Sequence, residues 1–341
     1  KEDSHFPGSD QKGYHESGPF AKLNSFRAEC MEYIARTGGR IKYGHSEVGN
    51  FTIDGRTYEQ NEIEFLPCPI ETAADQILLA KWVIRNLGLR HGLDVTFAPK
   101  IIVGEAGSGM HIHMRMMKDG ANMMVSGGRL SDIARRAIAG MMELAPAITA
   151  FGNKNPTSYF RLVPHQEAPT NICWGDCNRS TLVRVPLGWT AGSDMCADAN
   201  PLEDSKLNIS DGSVKQTVEM RSPDSSADIY QLMAGLCTAC LYGLEMPVDK
   251  ALAIADATYA GLDIHKGGAE KYKALPSCCA ESAGCLEAMR GHFERDGIFP
   301  HRMTDGIIRS LRSFNDNGLL AGIVKDDRKV AEIVARYFHC G

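Results

Sequence analysis

Two Asp-Gly dipeptides, Asp54-Gly55 and Asp119-Gly120, constrain the fold of this chain more than any other feature. Each is flanked by residues with strand character. An Asp-Gly pair closes a two-residue hairpin because glycine, and to a lesser degree aspartate, accepts the left-handed backbone that such a turn needs. A two-residue turn makes its strands antiparallel, since parallel strands need a crossover of about a dozen residues or more. Long runs with helical apolar spacing lie between and beyond the hairpins. Hairpins interleaved with helices, then a helical tail, predict an α+β architecture with a curved, mainly antiparallel sheet lining a cavity.

Residues 1 to 20 are polar, with Gly, Pro and Ser, and read as an irregular lead-in. A helix is expected over 21 to 37, stopped by Gly38-Gly39. Ile41 to Val48 reads as a strand whose alternation puts His45 and Glu47 on one face. The return strand, Tyr58 to Phe65, carries Glu62 and Glu64 on one face, so glutamates from both arms can converge on one cation. A helix over 70 to 91, a strand from Val95 to Val103 and a loop from Gly104 to Gly109 follow. On the next strand, Met110 to Arg115, the side chains of His111, His113 and Arg115 share a face. A glycine-rich loop that runs into a strand matches neither a dinucleotide fingerprint nor a P-loop, both of which need a helix there.

A helix is expected over 130 to 150. Residues 161 to 186 then hold three arginines (Arg161, Arg179, Arg184), Glu167 and three prolines, and read as irregular. A loop over 187 to 212 leads to a strand from Val214 to Arg221 with Glu219 and Arg221 on one face. Helices are expected over 227 to 258, 280 to 296, 301 to 315 and 325 to 338. No repeat or linker divides the chain. Residues 1 to 341 are therefore expected to be one domain, with 225 to 341 its mostly helical part.

Composition narrows the class. An apolar fraction of 43% and a charged fraction of 23% belong to a soluble globular protein. A net charge of -5 without a basic run gives no reason to expect nucleic acid, and no apolar stretch is long enough to span a bilayer. The eleven cysteines are an odd, scattered set, read as reduced thiols in a cytoplasmic protein. Neither Cys173 with Cys177 nor Cys237 with Cys240 has a second pair at zinc-finger spacing. The opening residues carry no secretory signal, and the missing initiator methionine suggests a piece of a longer protein.

The ionisable residues on these strand faces and the adjoining loop are Glu47, Glu62 or Glu64, His111, His113, Glu167 and Glu219, with Arg161, Arg179, Arg184 and Arg221. Carboxylates with an imidazole suit hard divalent cations such as Mg2+ or Mn2+. Guanidinium groups beside such cations suit phosphoryl transfer, whose transition state spreads negative charge over several oxygens. Singly, each residue also has an ordinary reading as a solvated glutamate, a core histidine or a cross-strand ion pair. The joint occurrence is what points to a site.

Several of these residues lie in longer motifs. They are His45-Ser-Glu47-Val, Gln60-Asn-Glu62, Gly107-Ser-Gly-Met-His111-Ile-His113-Met, Asn155-Pro-Thr, Arg161-Leu-Val-Pro with Glu167-Ala-Pro, Asn178-Arg179-Ser with Arg184-Val-Pro, and Glu219 to Asp224. From about residue 21 to 245 the chain resembles the catalytic domain of the glutamine synthetases, in motif order and nearly in spacing. The resemblance implies a half-barrel of antiparallel strands with helices outside, as in glutamine synthetase and guanido kinase-like folds. It also implies ATP-dependent ligation of ammonia to glutamate through a γ-glutamyl phosphate, with two Mg2+ or Mn2+ ions. By the same resemblance Glu47 and Glu62 would hold one metal, and His111 and Glu219 the other. Gly107, Arg161 and Arg221 would contact glutamate, and His113, Arg115, Arg179 and Arg184 would serve ATP. Glu167 would lie on a closing flap and accept a proton from ammonium, with Arg179 acting on the transferred phosphoryl group. The implied partners are glutamate, ammonium and ATP, in a homo-oligomer when full length.

The chain also departs from the family pattern. The family's other metal carboxylates sit in a Glu-x-Glu strand upstream of anything here, and its small N-terminal domain has no match. Ala106 stands where the family has an asparagine, and the hairpin between Glu47 and Glu62 is longer. Tyr272 and Lys215 each fall one residue away from family positions, so adenylylation is not expected. Two other readings stay open: a γ-glutamyl ligase for another amine such as a polyamine, and a non-catalytic homologue. These 341 residues alone are expected to be weakly active or inactive.

Overall fold

The structure is a computed structural model describing residues 5–53, 55–164, 166–186, 215–319 and 327–341. The expected loop over 187 to 212, and the start of the expected strand at Val214, lie outside the described residues. Helix α1 (Asn24–Arg36) leads into the long hairpin of β1 (Ile41–Ile53) and β2 (Arg56–Phe65). Ile53 pairs with Arg56, so the connection is the expected two-residue turn, with Gly55 at φ +75°. Helix α2 (Ile70–Arg90) follows, then β3 (Ile112–Met114) and two small hairpins, β4 (Met117–Lys118) with β5 (Ala121–Asn122), and β6 (Val125–Ser126) with β7 (Arg129–Leu130). Asp119 and Gly120 have φ of +50° and +80°, the left-handed pair of a type I′ turn.

Helix α3 (Asp132–Gly152) is capped by Ser131, whose hydroxyl accepts from the Ala134 amide. After the short helix α4 (Pro156–Arg161) come strands β8 (Trp174–Asp176), β9 (Val183–Val185) and β10 (Val218–Met220). The rest is helical: α5 (Ile229–Glu245), α6 (Val248–Ala257), α7 (Cys279–Glu294), α8 (His301–Ser313) and α9 (Asp327–Tyr337). No helix among the described residues is long and apolar enough to cross a membrane.

The architecture is α+β. Of the strand pairings among the described residues, only β8 with β9 is parallel. These strands form four separate sheets, β1–β2, β3–β10–β9–β8, β4–β5 and β6–β7, where one continuous sheet was expected. The main core joins α3, α5 and α7 to one face of the four-stranded sheet. Val218 and Met220 belong to that core, and strand alternation turns Glu219 to the opposite face. Burying such apolar side chains contributes roughly 1.5–3 kcal/mol each, which helps offset the cost of an ionised neighbour.

Two expectations need correction, and one gains detail. Residues 95 to 103 form no strand: Pro99 lacks an amide hydrogen, and its carbonyl accepts from the Ser108 amide of the glycine-rich loop. The helical stretch expected over 227 to 258 is present as two helices, divided at Met246-Pro247, because proline disfavours helical backbone in the residue before it. The arginine stretch is not wholly irregular either. Arg161 ends α4, and the stretch contains β8 and β9.

Candidate functional site

The first part of the site is built on the β1–β2 hairpin. His45 pairs across the ladder with Glu62, and a register shift after Ser46 interrupts β1 beside Glu47. The imidazole of His45 lies 3.8 Å from Glu47 and 3.5 Å from Glu62. Donor atoms of these three residues fall within 4.8 Å of one another, the one such three-residue group among the described residues. Burial, then the nearby Glu47 carboxylate, pushes the Glu62 carboxyl up to about 8. Two acids crowded together in this way favour a shared proton or a cation. Glu64 is engaged elsewhere, with Lys42 at 2.7 Å, which decides between the two glutamates of β2.

The second part is built on β10, the inner strand between β3 and β9. Glu219 stands opposite His113 on one side and Arg184 on the other. Its carboxylate, 1% exposed, lies 3.1 Å from His111 Nδ1, 2.6 Å from Arg184 Nε and 3.5 Å from Arg221 Nε. Burial opposes its charge, but the hydrogen bond from His111 and the nearby cations hold the carboxyl down at about 2. Burial pushes the His111 imidazole down to about 4, against the pull of Glu219. A neutral His111 beside an ionised Glu219 offers one nitrogen and one oxygen on the same side, a pair of donors that can meet a single cation. Arg184 Nε is close to Glu219 Oε2 but poorly aligned, and that buried oxygen has no hydrogen bond.

The remaining sequence candidates close around these two parts. Arg161 is 4% exposed and donates to the carbonyls of Ser222 at 2.7 Å and Arg221 at 3.1 Å. Gly107 has no room for a side chain, since a Cβ there would lie 2.7 Å from the Pro99 carbonyl and 3.1 Å from Arg161 Cγ. Arg221 donates to the carbonyl of Arg179, and its other nitrogen lies 3.5 Å from that of Glu167. Glu167 is exposed as a residue, but its carboxyl is partly desolvated at the cleft wall, which with Glu47 raises its pKa against the pull of Arg161 and Arg221. His113 meets the Thr217 hydroxyl at 3.2 Å, and Arg115 lines the same cleft. The cleft of about 2460 Å³ is lined by residues from every candidate segment. It is larger than the roughly 300–1,000 Å³ of an ordinary small-molecule pocket.

Residues outside that set also belong here. The lead-in lies along the edge of β1, where the amides of Gln11, Gly13 and His15 donate to Asn50, Val48 and Ser46. This puts the Tyr14 hydroxyl 3.1 Å from Arg179, with its ring 5.4 Å from the guanidinium, and Gln11 Oε1 2.8 Å from the Ala106 amide. His45 was legible beside Glu47 by alternation alone. Tyr14, Gln11 and the buried Lys100 gave no sequence signal, because their partners lie far away along the chain.

Comparisons with known proteins show the family. A family model described as glutamine synthetase, catalytic domain, matches residues 2–310. A glutamine synthetase of Thermus thermophilus is 32% identical over 284 residues, 82% of this chain and 56% of the relative. One from Frankia alni is 35% identical over 290 residues, 84% of this chain and 53% of the relative. The chain thus spans about half the length of the curated relatives it matches. A solved glutamine synthetase of Plasmodium falciparum superposes with a TM-score of 0.72 at 20% identity, covering 92% of this chain and 63% of that one. The chain belongs to the glutamine synthetase catalytic-domain family.

Proposed function

We propose that this chain is the catalytic part of an ATP-dependent ligase that joins ammonia to glutamate. The observation that carries the reading is the meeting in one cleft of two acidic clusters, His45 with Glu47 and Glu62, and Glu219 with His111, ringed by Arg161, Arg179, Arg184 and Arg221. The donor set fits hard divalent cations: oxygen ligands dominate, and the buried Glu219 Oε2 lacks a hydrogen bond. Glu47 and Glu62 would hold one Mg2+ or Mn2+, and His111 and Glu219 the other. Bound there, the ions neutralise negative charge on the nucleotide phosphates.

Gly107, Arg161 and Arg221 are assigned to the glutamate side, and His113, Arg115, Arg179 and Arg184 to ATP. A γ-carboxylate oxygen of glutamate attacks the terminal phosphorus of ATP, the bond to the ADP oxygen breaks, and an acyl phosphate forms. Arg179 stabilises the charge spread over the transferring group. Ammonia then attacks the acyl carbon, phosphate leaves, and Glu167 takes the surplus proton while its segment shields the acyl phosphate from water. The edges of β2 and β3 that pair with no described strand both border the cleft.

The test is phosphate release by the full-length protein with glutamate, Mg-ATP and a panel of amines. Ammonia-dependent turnover is expected, with far less from residues 1 to 341 alone. No turnover with ammonia sinks the reading. Turnover with a polyamine but not ammonia supports a second reading, favoured by Ala106, which offers no side-chain amide and whose own amide is taken by Gln11. A further prediction concerns Glu62. Its carboxyl, near 8, holds a proton at neutral pH, and a cation must displace it. Mg2+ affinity should therefore rise from about pH 6 to 8, with about one proton released per ion. Calorimetry in buffers of different ionisation enthalpy reads this, and no proton release at pH 7 would mean that Glu62 is already ionised before the ion binds.

A further inference from the structure

Lys100 is 1% exposed and heads the largest fully buried side chains among the described residues. An ammonium withdrawn from water is costly unless its hydrogens find acceptors. The acceptors it has are both neutral, and they come from two different segments. Lys100 Nζ donates to Gln166 Oε1 at 2.5 Å and to the backbone carbonyl of Glu105. Gln166 immediately precedes Glu167, and Glu105 belongs to the glycine-rich loop that contains Gly107. The lysine's own backbone is tied to that loop as well, since the Pro99 carbonyl accepts from the Ser108 amide at 2.9 Å. Its stem runs beside Gly107, where an added Cβ would sit 3.3 Å from Lys100 Cδ and 3.1 Å from Arg161 Cγ. Burial, with Arg161 adding, pulls the ammonium down to about 8, while Glu167 and Glu105 favour its charge.

We propose that Lys100 is a positioning residue whose buried ammonium latches the segment bearing Glu167 to the glycine-rich loop, so that the acid and the amino-acid pocket are held as one unit. The proposal rests on the reading above in one respect, that Glu167 receives the proton of the attacking amine. A lysine suits the task because one small cation satisfies a backbone oxygen and a side-chain oxygen at once, in a space that Gly107 and Arg161 leave narrow. With methionine there, both oxygens lose their donor, and the Glu167 segment is released from the loop. Water then reaches the acyl phosphate, its bond to the acyl carbon is hydrolysed to glutamate and phosphate, and ATP is consumed without amide formation.

The experiment uses the full-length protein and three variants, Lys100→Met, Lys100→Arg and Gln166→Ala. Gln166→Ala keeps Lys100 and its bond to Glu105, so the result does not hinge on whether Lys100→Met folds. Hydrogen exchange is followed in peptides covering Gln166–Ala168, and phosphate released is compared with amide formed. Lys100→Met and Gln166→Ala should raise exchange there by about tenfold or more. The phosphate-to-amide ratio should climb from near one to several, and Lys100→Arg should restore neither value fully. Unchanged exchange in Lys100→Met and Gln166→Ala overturns the latch, and so does raised exchange with a ratio still near one. If the unmodified protein forms no amide with ammonia, the functional reading falls, and the exchange data still decide the latch.

Discussion

Glu219→Gln is expected to abolish useful turnover in the intact protein, with kcat down by at least about 10²–10³-fold, the scale for losing one group that stabilises charge at a reacting centre. The carboxylate is 1% exposed and faces His111, Arg184 and Arg221. Glutamine keeps the shape and one oxygen but replaces the other with an NH2 that meets Arg184 Nε, a donor set against a donor. The cations are left without their counter-charge, and breaking a buried pair from one side costs roughly 3–5 kcal/mol. The variant should therefore melt lower and lose the rise in melting temperature that Mg2+ gives the unmodified protein. Phosphate release and thermal melts with and without Mg2+ measure both. Turnover within about tenfold of the unmodified protein would exclude Glu219 from the reacting centre.

The same residue predicts an acid limb of stability. Glu219 titrates near 2 in the fold against an ordinary 4.5, so its contribution is present above 4.5 and is lost as pH falls toward 2. His111 is depressed to about 4 from 6.5, and the fold refuses a proton that the unfolded chain accepts, so stability also declines from 6.5 toward 4. Glu219→Gln should remove the lower of these two steps, as read in denaturant midpoints across that pH range.

How much of this was legible in the sequence depends on the range of the interaction involved. The Asp-Gly turns fix the hairpins locally, and strand alternation then puts Glu47 on the face of His45, which stands opposite Glu62, and puts Glu219 away from the core without any tertiary knowledge. Long helices with caps or stops, such as the run after Ser131, are equally local. What escaped is set by partners distant in sequence. Three-residue strands such as β8 and β9 are too short for a period to show, and they exist because β10 lies beside β9 and β9 beside β8. Residues 95 to 103 have the composition of a strand but are drawn off by the glycine-rich loop and the chain's end, where the Thr96 hydroxyl donates to the Phe338 carbonyl. Tyr14 reaches Arg179 across 165 positions, and nothing in a polar lead-in announces that. Lys100 looks like any surface lysine until the fold buries it.

The crossing of α3 and α5 gives the largest expected effect on stability, and only the structure exposes it. Glycine inside a helix costs about 1 kcal/mol relative to alanine, so Gly140 and Gly243 need a reason to be there. The reason is backbone contact. A Cβ on Gly140 would run into the Ala239 carbonyl and lie 2.6 Å from the Gly243 amide, and one on Gly243 would lie 2.8 Å from the Gly140 amide. The obstacles are backbone atoms, which cannot rotate aside as a side chain can. Gly140→Val must therefore separate two helices at the centre of the core, and a cost of about 3 kcal/mol or more is expected, at the upper end for overpacking. That is a large share of the roughly 5–15 kcal/mol that holds a domain together. Gly291→Ala on α7, where nothing lies within 4 Å of the added carbon, should instead stabilise by about 0.4–1 kcal/mol. Gly140→Ala and Gly243→Ala share one contact, so the double variant should lose less than the sum of the singles. The damage should reach the cleft as well. The end of α3 holds the loop after β10, through the Gly152 carbonyl on the Asp224 amide and Asn153 on the Ser222 carbonyl. That Ser222 carbonyl also anchors Arg161. Denaturant titration of these variants decides the matter: a Gly140→Val midpoint equal to that of the unmodified protein would mean the helices do not cross at these glycines.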